Sequence, residues 1–89
     1  MEIKNTATKH YELGEADFKA RRFKEAVEQF QEYLRLNPND PAGHHSLAMA
    51  YCELGRFDLA VEPFVQALRL GPEFGEVYPW CKEANRGSL

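Results

Sequence analysis

The sequence contains an internal repeat of 34 residues, and this repeat constrains the fold more than any other feature. Shifting the chain against itself by that offset aligns residues 7–40 with residues 41–74, and about 13 of the 34 aligned positions are identical. Most of the identical pairs are apolar or small, among them Leu13/Leu47, Ala16/Ala50, Phe23/Phe57, Ala26/Ala60, Val27/Val61, Phe30/Phe64 and Leu34/Leu68. A period of this length predicts structural units that stack on one another and bury a continuous core.

Each repeat is predicted to form two amphipathic helices, because its apolar residues recur at helical spacing. The breaks between helices also follow the repeat. Asp40 is a candidate N-cap before Pro41, whose fixed φ suits the first helical position. Gly55 can adopt the left-handed conformation that ends a helix, and Pro38 and Pro72 follow the last helix of each unit.

This pattern resembles the tetratricopeptide repeat family. The first unit matches the family positions with Leu13, Gly14, Phe23, Ala26, Phe30 and Pro38, and the second with Leu47, Ala48, Tyr51, Gly55, Phe57, Ala60, Phe64, Ala67 and Pro72. The first unit departs at Asp17, Arg21 and Tyr33, where the family prefers Tyr, Gly and Ala. At the family's tryptophan position stand His10 and His44, which we interpret as helix-packing residues with a hydrogen-bonded ring nitrogen.

The resemblance implies an all-α fold in a single domain covering residues 1–89. It consists of two tandem helix-turn-helix repeats, residues 7–40 and 41–74, and a C-terminal capping helix over residues 75–87. Together they form a short right-handed superhelix, an α-solenoid. The capping helix is predicted from Val77, Tyr78, Cys81 and Ala84, which share one helical face, while its other face is polar as a terminal element requires.

Composition and charge exclude several functions. The formal net charge is −3 and the basic residues are scattered among acids, so the sequence offers no basic surface for nucleic acid. It has no apolar stretch long enough for a membrane span, and its polar N-terminus predicts a cytoplasmic location. No nucleophile and base are suitably spaced for catalysis, so we predict no enzymatic activity and no cofactor.

The function implied by the resemblance is binding of a protein or peptide segment in a concave groove lined by the first helix of each repeat. Carried over to this sequence, the groove residues are Tyr11, Glu15, Phe18, His45, Met49 and Cys52. An apolar strip bordered by acids favours an apolar segment that also carries Lys or Arg. The positions that match the family's clamp for acidic chaperone tails hold no cation, so that partner is excluded.

Two alternatives remain open. A homo-oligomeric scaffold could use Leu59, Val65 and Trp80, because the last helix of the second repeat is apolar around most of its circumference. A soft-metal site could form from His45, Met49 and Cys52, which share a helix face. Cys52 and Cys81 are interpreted as buried reduced thiols, with a long-range disulfide only in an oxidising compartment.

Overall fold

The computed structural model describes the backbone of residues 2–71 and the side chains of residues 6–71. This part of the chain contains four helices, α1 (Glu2–Lys19), α2 (Phe23–Leu36), α3 (Pro41–Glu53) and α4 (Phe57–Leu70), and no strand. Helix α1 packs on α2, α2 on α3, and α3 on α4. The predicted all-α repeat fold is therefore confirmed, while the proposed capping helix and Trp80 lie outside the described residues.

Helix α1 begins five residues before the first repeat, which the alignment places from Ala7. Residues 2–6 contain neither proline nor glycine, so nothing in this stretch interrupts the helix that the repeat continues. The side chain of Ala7 is buried. The boundary of the repeat and the boundary of the helix therefore differ at the N-terminal end.

The turns between helices follow the predicted residues. The carboxylate of Asp40 accepts a hydrogen bond from the backbone N–H of Ala42 at 3.0 Å, and Pro41 occupies the first turn of α3. Gly55 has a φ of 77°, which is the left-handed conformation expected of it. Arg21 occupies the equivalent position of the first repeat and also has a positive φ, of 65°. The first repeat therefore makes the same turn without the glycine that favours it.

The core consists of two clusters centred on equivalent phenylalanines. Phe30 of α2 is buried in a cluster with Ala26, Val27, Leu34, Leu47 and Ala50, and it also packs against α1 at Gly14. Phe64 is buried between α3 and α4 with Ala48, Cys52 and Ala60. Small side chains at these helix contacts let the backbones approach closely, as the repeat pattern predicts.

The structure departs from one prediction about the core. Cys52 is 5% exposed, as expected, but it is disulfide-bonded rather than reduced. The only other cysteine of the sequence, Cys81, lies outside the described residues. Sequence spacing could not establish this, because a disulfide depends on the separation of two positions in the folded chain.

Candidate protein-binding cleft

A cleft of about 250 Å³ lies between the first helices of the two repeats. Helix α1 contributes one wall and α3 the other, and Phe30 of α2 lies between them. The lining residues are Glu15, Phe18, Lys19, Phe30, His45, Ser46 and Met49. Most of the lining is therefore aromatic or apolar, with polar groups from a few side chains.

The two walls are joined directly near one end of the cleft. The hydroxyl of Tyr11 in α1 forms a hydrogen bond with the hydroxyl of Ser46 in α3, with an oxygen–oxygen distance of 3.1 Å. The Tyr11 ring also packs edge-on against Phe30 and Tyr33, with centroids 5.6 and 4.9 Å apart. These contacts fix Tyr11 in the joint between the helices, so it supports the cleft rather than lining it.

Phe18 and Met49 provide the apolar surface on opposite walls. Phe18 is half-buried and packs edge-on against Phe23, with ring centroids 5.1 Å apart. That contact holds the Phe18 ring in place while one side of it still faces the cleft. Met49 is also half-buried and lies beside the second core cluster. An unbranched thioether can adapt its shape to an incoming side chain.

His45 adds a polar group to the wall formed by α3. Its ring lies 6.4 Å from the ring of Phe64, measured between centroids, and desolvation by burial lowers the pKa of the imidazole below its usual value. The neutral form is therefore favoured at neutral pH. A neutral imidazole can both donate and accept a hydrogen bond, so this position can recognise a polar group without supplying charge.

The rim carries one charge of each sign. Glu15 and Lys19 lie one helical turn apart on α1, and both are exposed. Glu15 was predicted as a groove residue, whereas Lys19 was not. The spacing could have revealed Lys19, because residues i and i+4 share a helix face. Charge around the cleft is therefore less uniformly acidic than the sequence pattern suggests.

The structure brings four of the six predicted groove residues, Glu15, Phe18, His45 and Met49, to the cleft. Tyr11 lies at the joint described above. Cys52 points into the core beside Ala60 and Phe64, so its side chain does not line the cleft. Three lining residues, Lys19, Phe30 and Ser46, were not among the six. Phe30 was missed because it belongs to α2, whereas the predicted groove used only the first helix of each repeat.

Leu59 and Val65, the described members of the predicted oligomer surface, lie on different sides of α4. Leu59 is 41% exposed and lines a second cleft of about 310 Å³, together with α3 residues such as Tyr51 and with Glu62 and Gln66 of α4. Val65 is 45% exposed and is not part of that cleft. Six residues on a helix correspond to a rotation that separates the two side chains by roughly 120°. They do not form one continuous patch.

The two histidines at the equivalent packing position behave as predicted. The Nδ1 atom of His10 lies 2.8 Å from Oε1 of Gln29, and the Nε2 atom of His44 lies 2.8 Å from the carbonyl oxygen of Pro38. Each ring therefore ties its helix to a neighbouring part of the chain.

The described residues contain no group of three or more His, Cys, Asp or Glu side chains arranged to hold a metal ion. The soft-metal hypothesis also required a thiolate at Cys52, and the disulfide removes that ligand. Of the three residues in that hypothesis, His45 and Met49 keep their potential metal-binding atoms, and Cys52 does not. None of the helices within residues 2–71 has the length and hydropathy needed to cross a membrane.

Two stacked helical hairpins with a cleft between their first helices define a helical-repeat protein. The chain matches the model of the tetratricopeptide repeat family over residues 11–73, which is more than half of its length. It therefore belongs to the tetratricopeptide repeat family, whose members generally serve as protein–protein interaction modules. A comparison with curated proteins gives no match.

Proposed function

We propose that this chain is a non-catalytic adaptor whose α1–α3 cleft binds a segment of another protein through one large apolar side chain. The observation that carries the proposal is the cleft itself, which is lined by Phe18 of α1, Phe30 of α2 and Met49 of α3. Its volume of about 250 Å³ is below the ~300–1,000 Å³ typical of small-molecule sites. That space suits the anchor residue of a peptide or helix, such as Leu or Phe.

The polar groups of the cleft indicate which residues should flank the apolar anchor in the bound segment. Glu15 on the rim favours a Lys or Arg next to the apolar residue, as does the net charge of −3. His45, in its neutral form, can bind a backbone amide or carbonyl of the segment. Lys19 limits the preference, because a strongly basic segment would place like charge beside it.

The proposal can be tested with peptides selected from a displayed random library and measured individually by fluorescence anisotropy. Phe18→Ala and Met49→Ala should each weaken the selected peptides about tenfold or more, because anchor contacts dominate binding energy. Leu59→Ala is the matched control, since Leu59 is apolar and exposed but lines the other cleft. Equal affinities for all three variants would contradict binding in the α1–α3 cleft.

Self-association is a second candidate, supported by the exposure of Leu59 and Val65 on α4. Light scattering over a range of protein concentrations tests it directly. A dimer that Val65→Lys or Trp80→Ala converts to a monomer would favour this function. A monomer at every concentration would exclude it and leave the cleft as the site of interaction.

A further inference from the structure

The second cleft, which we name the α3–α4 cleft, lies on the side of α3 that is turned away from the α1–α3 cleft. Leu47 and Tyr51 of α3 line it, and they lie roughly half a turn around the helix from His45 and Met49, which line the α1–α3 cleft. Its volume is about 310 Å³, and its buried lining residues are Leu34, Leu47 and Pro63. No described residue lines both clefts, so an inference about the α3–α4 cleft does not depend on the proposed function.

The apolar lining of this cleft is specific to the second repeat. Three of its residues stand where the first repeat has polar ones, namely Tyr51 for Asp17, Leu59 for Glu25 and Pro63 for Gln29. In the first repeat the Nδ1 atom of His10 lies 2.8 Å from Oε1 of Gln29, so a hydrogen bond joins α1 and α2 there. Proline cannot make that bond, and His44 instead donates from Nε2 to the carbonyl oxygen of Pro38 at 2.8 Å. The second repeat therefore has an apolar cleft where the first has a polar contact.

One acidic residue has been kept at the edge of the α3–α4 cleft. Glu62 corresponds to Glu28 of the first repeat, and both side chains are exposed. Among the described residues that line the cleft, Glu62 is the only Asp, Glu, Lys or Arg. Its carboxylate makes no hydrogen bond or ion pair within the described part of the chain. An apolar cleft with a single unpaired carboxylate is complementary to a side chain that combines an apolar stem with a positive charge.

Pro63 adds a second acceptor beside Glu62. Because proline has no N–H, the carbonyl of Leu59 lacks the partner that residue i+4 provides in a regular helix. Leu59 and Glu62 are three residues apart on α4, so they are neighbours on the helix surface. Oε1 of Gln66, one turn further along, already accepts a hydrogen bond from Nη2 of Arg69 at 2.8 Å. The acceptors left for a ligand are therefore at Leu59 and Glu62.

Tyr51 contributes an aromatic ring to the opposite wall. Its hydroxyl accepts a hydrogen bond from Nε2 of Gln31 at 3.0 Å, which ties the ring to α2. Guanidinium groups stack on aromatic rings and carry five N–H donors, whereas an ammonium group is a compact point charge with three. Two neighbouring acceptors and an aromatic ring therefore favour arginine over lysine.

We propose that the α3–α4 cleft binds an arginine side chain from a segment of a partner protein. The methylene groups of the arginine lie on the apolar lining, and its guanidinium bonds to the carboxylate of Glu62 and the carbonyl of Leu59. Since this cleft and the α1–α3 cleft lie on different sides of α3, one chain has room for two separate segments.

The test uses peptides selected on the full chain from a displayed library with one fixed arginine between randomised residues, and fluorescence anisotropy measures each affinity. We expect a class of peptides that Leu59→Ala weakens about fivefold or more and that Met49→Ala leaves unchanged. Within this class, replacing the peptide's arginine by alanine should cause a similar loss, and replacing it by lysine a smaller one.

Two results would overturn the proposal. Peptides of this class that keep their affinity without the arginine would show that the occupant is apolar, and the absence of any peptide that depends on Leu59 would show that the cleft is not a binding site. Failure of the proposed function is a different result, because it appears as insensitivity to Phe18→Ala and Met49→Ala.

The role of charge is tested by Glu62→Lys, which should weaken the same peptides about tenfold or more because it places a positive charge beside the guanidinium. Glu28→Lys is the matched control, since it lies at the equivalent position of α2, changes the net charge equally and does not line the cleft. Thermal unfolding followed by circular dichroism checks that both variants are folded. Equal losses of affinity would show that the peptides respond only to net charge, and they would overturn the assignment of Glu62.

Discussion

The two hairpins contain the same residues at many equivalent positions, yet they bury them differently. Leu13 is 46% exposed, whereas its equivalent Leu47 is 8% exposed. On the second helix of each hairpin the difference is reversed, since Val27 is buried and Val61 is exposed. The contrast arises because α2 and α3 pack on each other in the middle of the array. In a repeat protein, burial is therefore determined by the neighbouring unit as much as by the residue.

The largest expected effect tests this contrast at the shared leucine. Leu47→Ala should destabilise the protein by about 2–5 kcal/mol, because it leaves a cavity between the hairpins. Leu13→Ala should cost less than about 1 kcal/mol, because much of that side chain already contacts water. Urea denaturation followed by circular dichroism measures both free energies of unfolding. Similar losses would mean that another part of the chain covers Leu13.

The position after this leucine sharpens the comparison, because it is Gly14 in one hairpin and Ala48 in the other. A Cβ atom at Gly14 would lie 2.6 Å from the ring of Phe30, which is buried and cannot move freely. Gly14→Ala should therefore destabilise by about 1–3 kcal/mol despite the higher helix propensity of alanine. Thermal and urea unfolding check the value. A stabilised variant would contradict the close packing of Phe30 on α1.

The turns of the two hairpins also differ, because the residue with positive φ is Arg21 in the first and Gly55 in the second. A substitution in the first turn should therefore raise stability. Arg21 is in the left-handed conformation, which costs a non-glycine residue roughly 1–2 kcal/mol, although its guanidinium lies 5.7 Å from the centroid of the Phe23 ring. Arg21→Gly should stabilise the protein by about 0.5–1 kcal/mol. Gly55→Ala should destabilise it by a similar amount, since the added Cβ meets no atom within 4 Å and only the backbone is strained. The paired melting temperatures should therefore move in opposite directions.

The smallest effect concerns His45, whose equivalent in the first hairpin is Tyr11. Burial lowers the pKa of His45 in the folded state, so the unfolded state binds its proton first as the pH falls. Its contribution to stability is complete above pH 6.5, the unfolded value, and is lost as the pH falls through the lower folded pKa. His45→Tyr should flatten the decline in melting temperature below pH 6.5. His44→Tyr is the control. If the melting temperature of both variants fell equally with pH, the pH dependence would not come from His45.

The fold could be predicted from the sequence because the same apolar spacing and helix breaks occur in both repeats. Helix ends at Asp40 and Gly55 depend on local backbone requirements, so single residues were enough to place them. The cleft was predicted in outline, since Phe18 and Met49 lie on the first helices.

The features that the sequence did not predict depend on distant parts of the structure. Leu59 and Val65 were named together because they make α4 apolar around most of its circumference, and whether they form an oligomer surface stays a prediction. Phe30 reaches the cleft from a second helix, which no local pattern indicates. The bonding of Cys52 depends on how the chain folds back, and a linear sequence contains no direct signal for it.

The exposed outer faces of α1 and α4, at the two ends of the stacked helices, have a consequence for assembly. Leu13 and Ala16 are exposed on α1, whereas their equivalents Leu47 and Ala50 belong to the first core cluster. Val61 is exposed on α4, whereas its equivalent Val27 belongs to the same cluster. These two faces are complementary but not identical, so α1 of one copy would pack on α4 of another in a head-to-tail contact. Each such pair would still expose one face of each kind. Growth by that contact has no built-in limit. Any element that covered Val61 on α4 would stop that growth and keep a repeat unit from becoming the monomer of a filament.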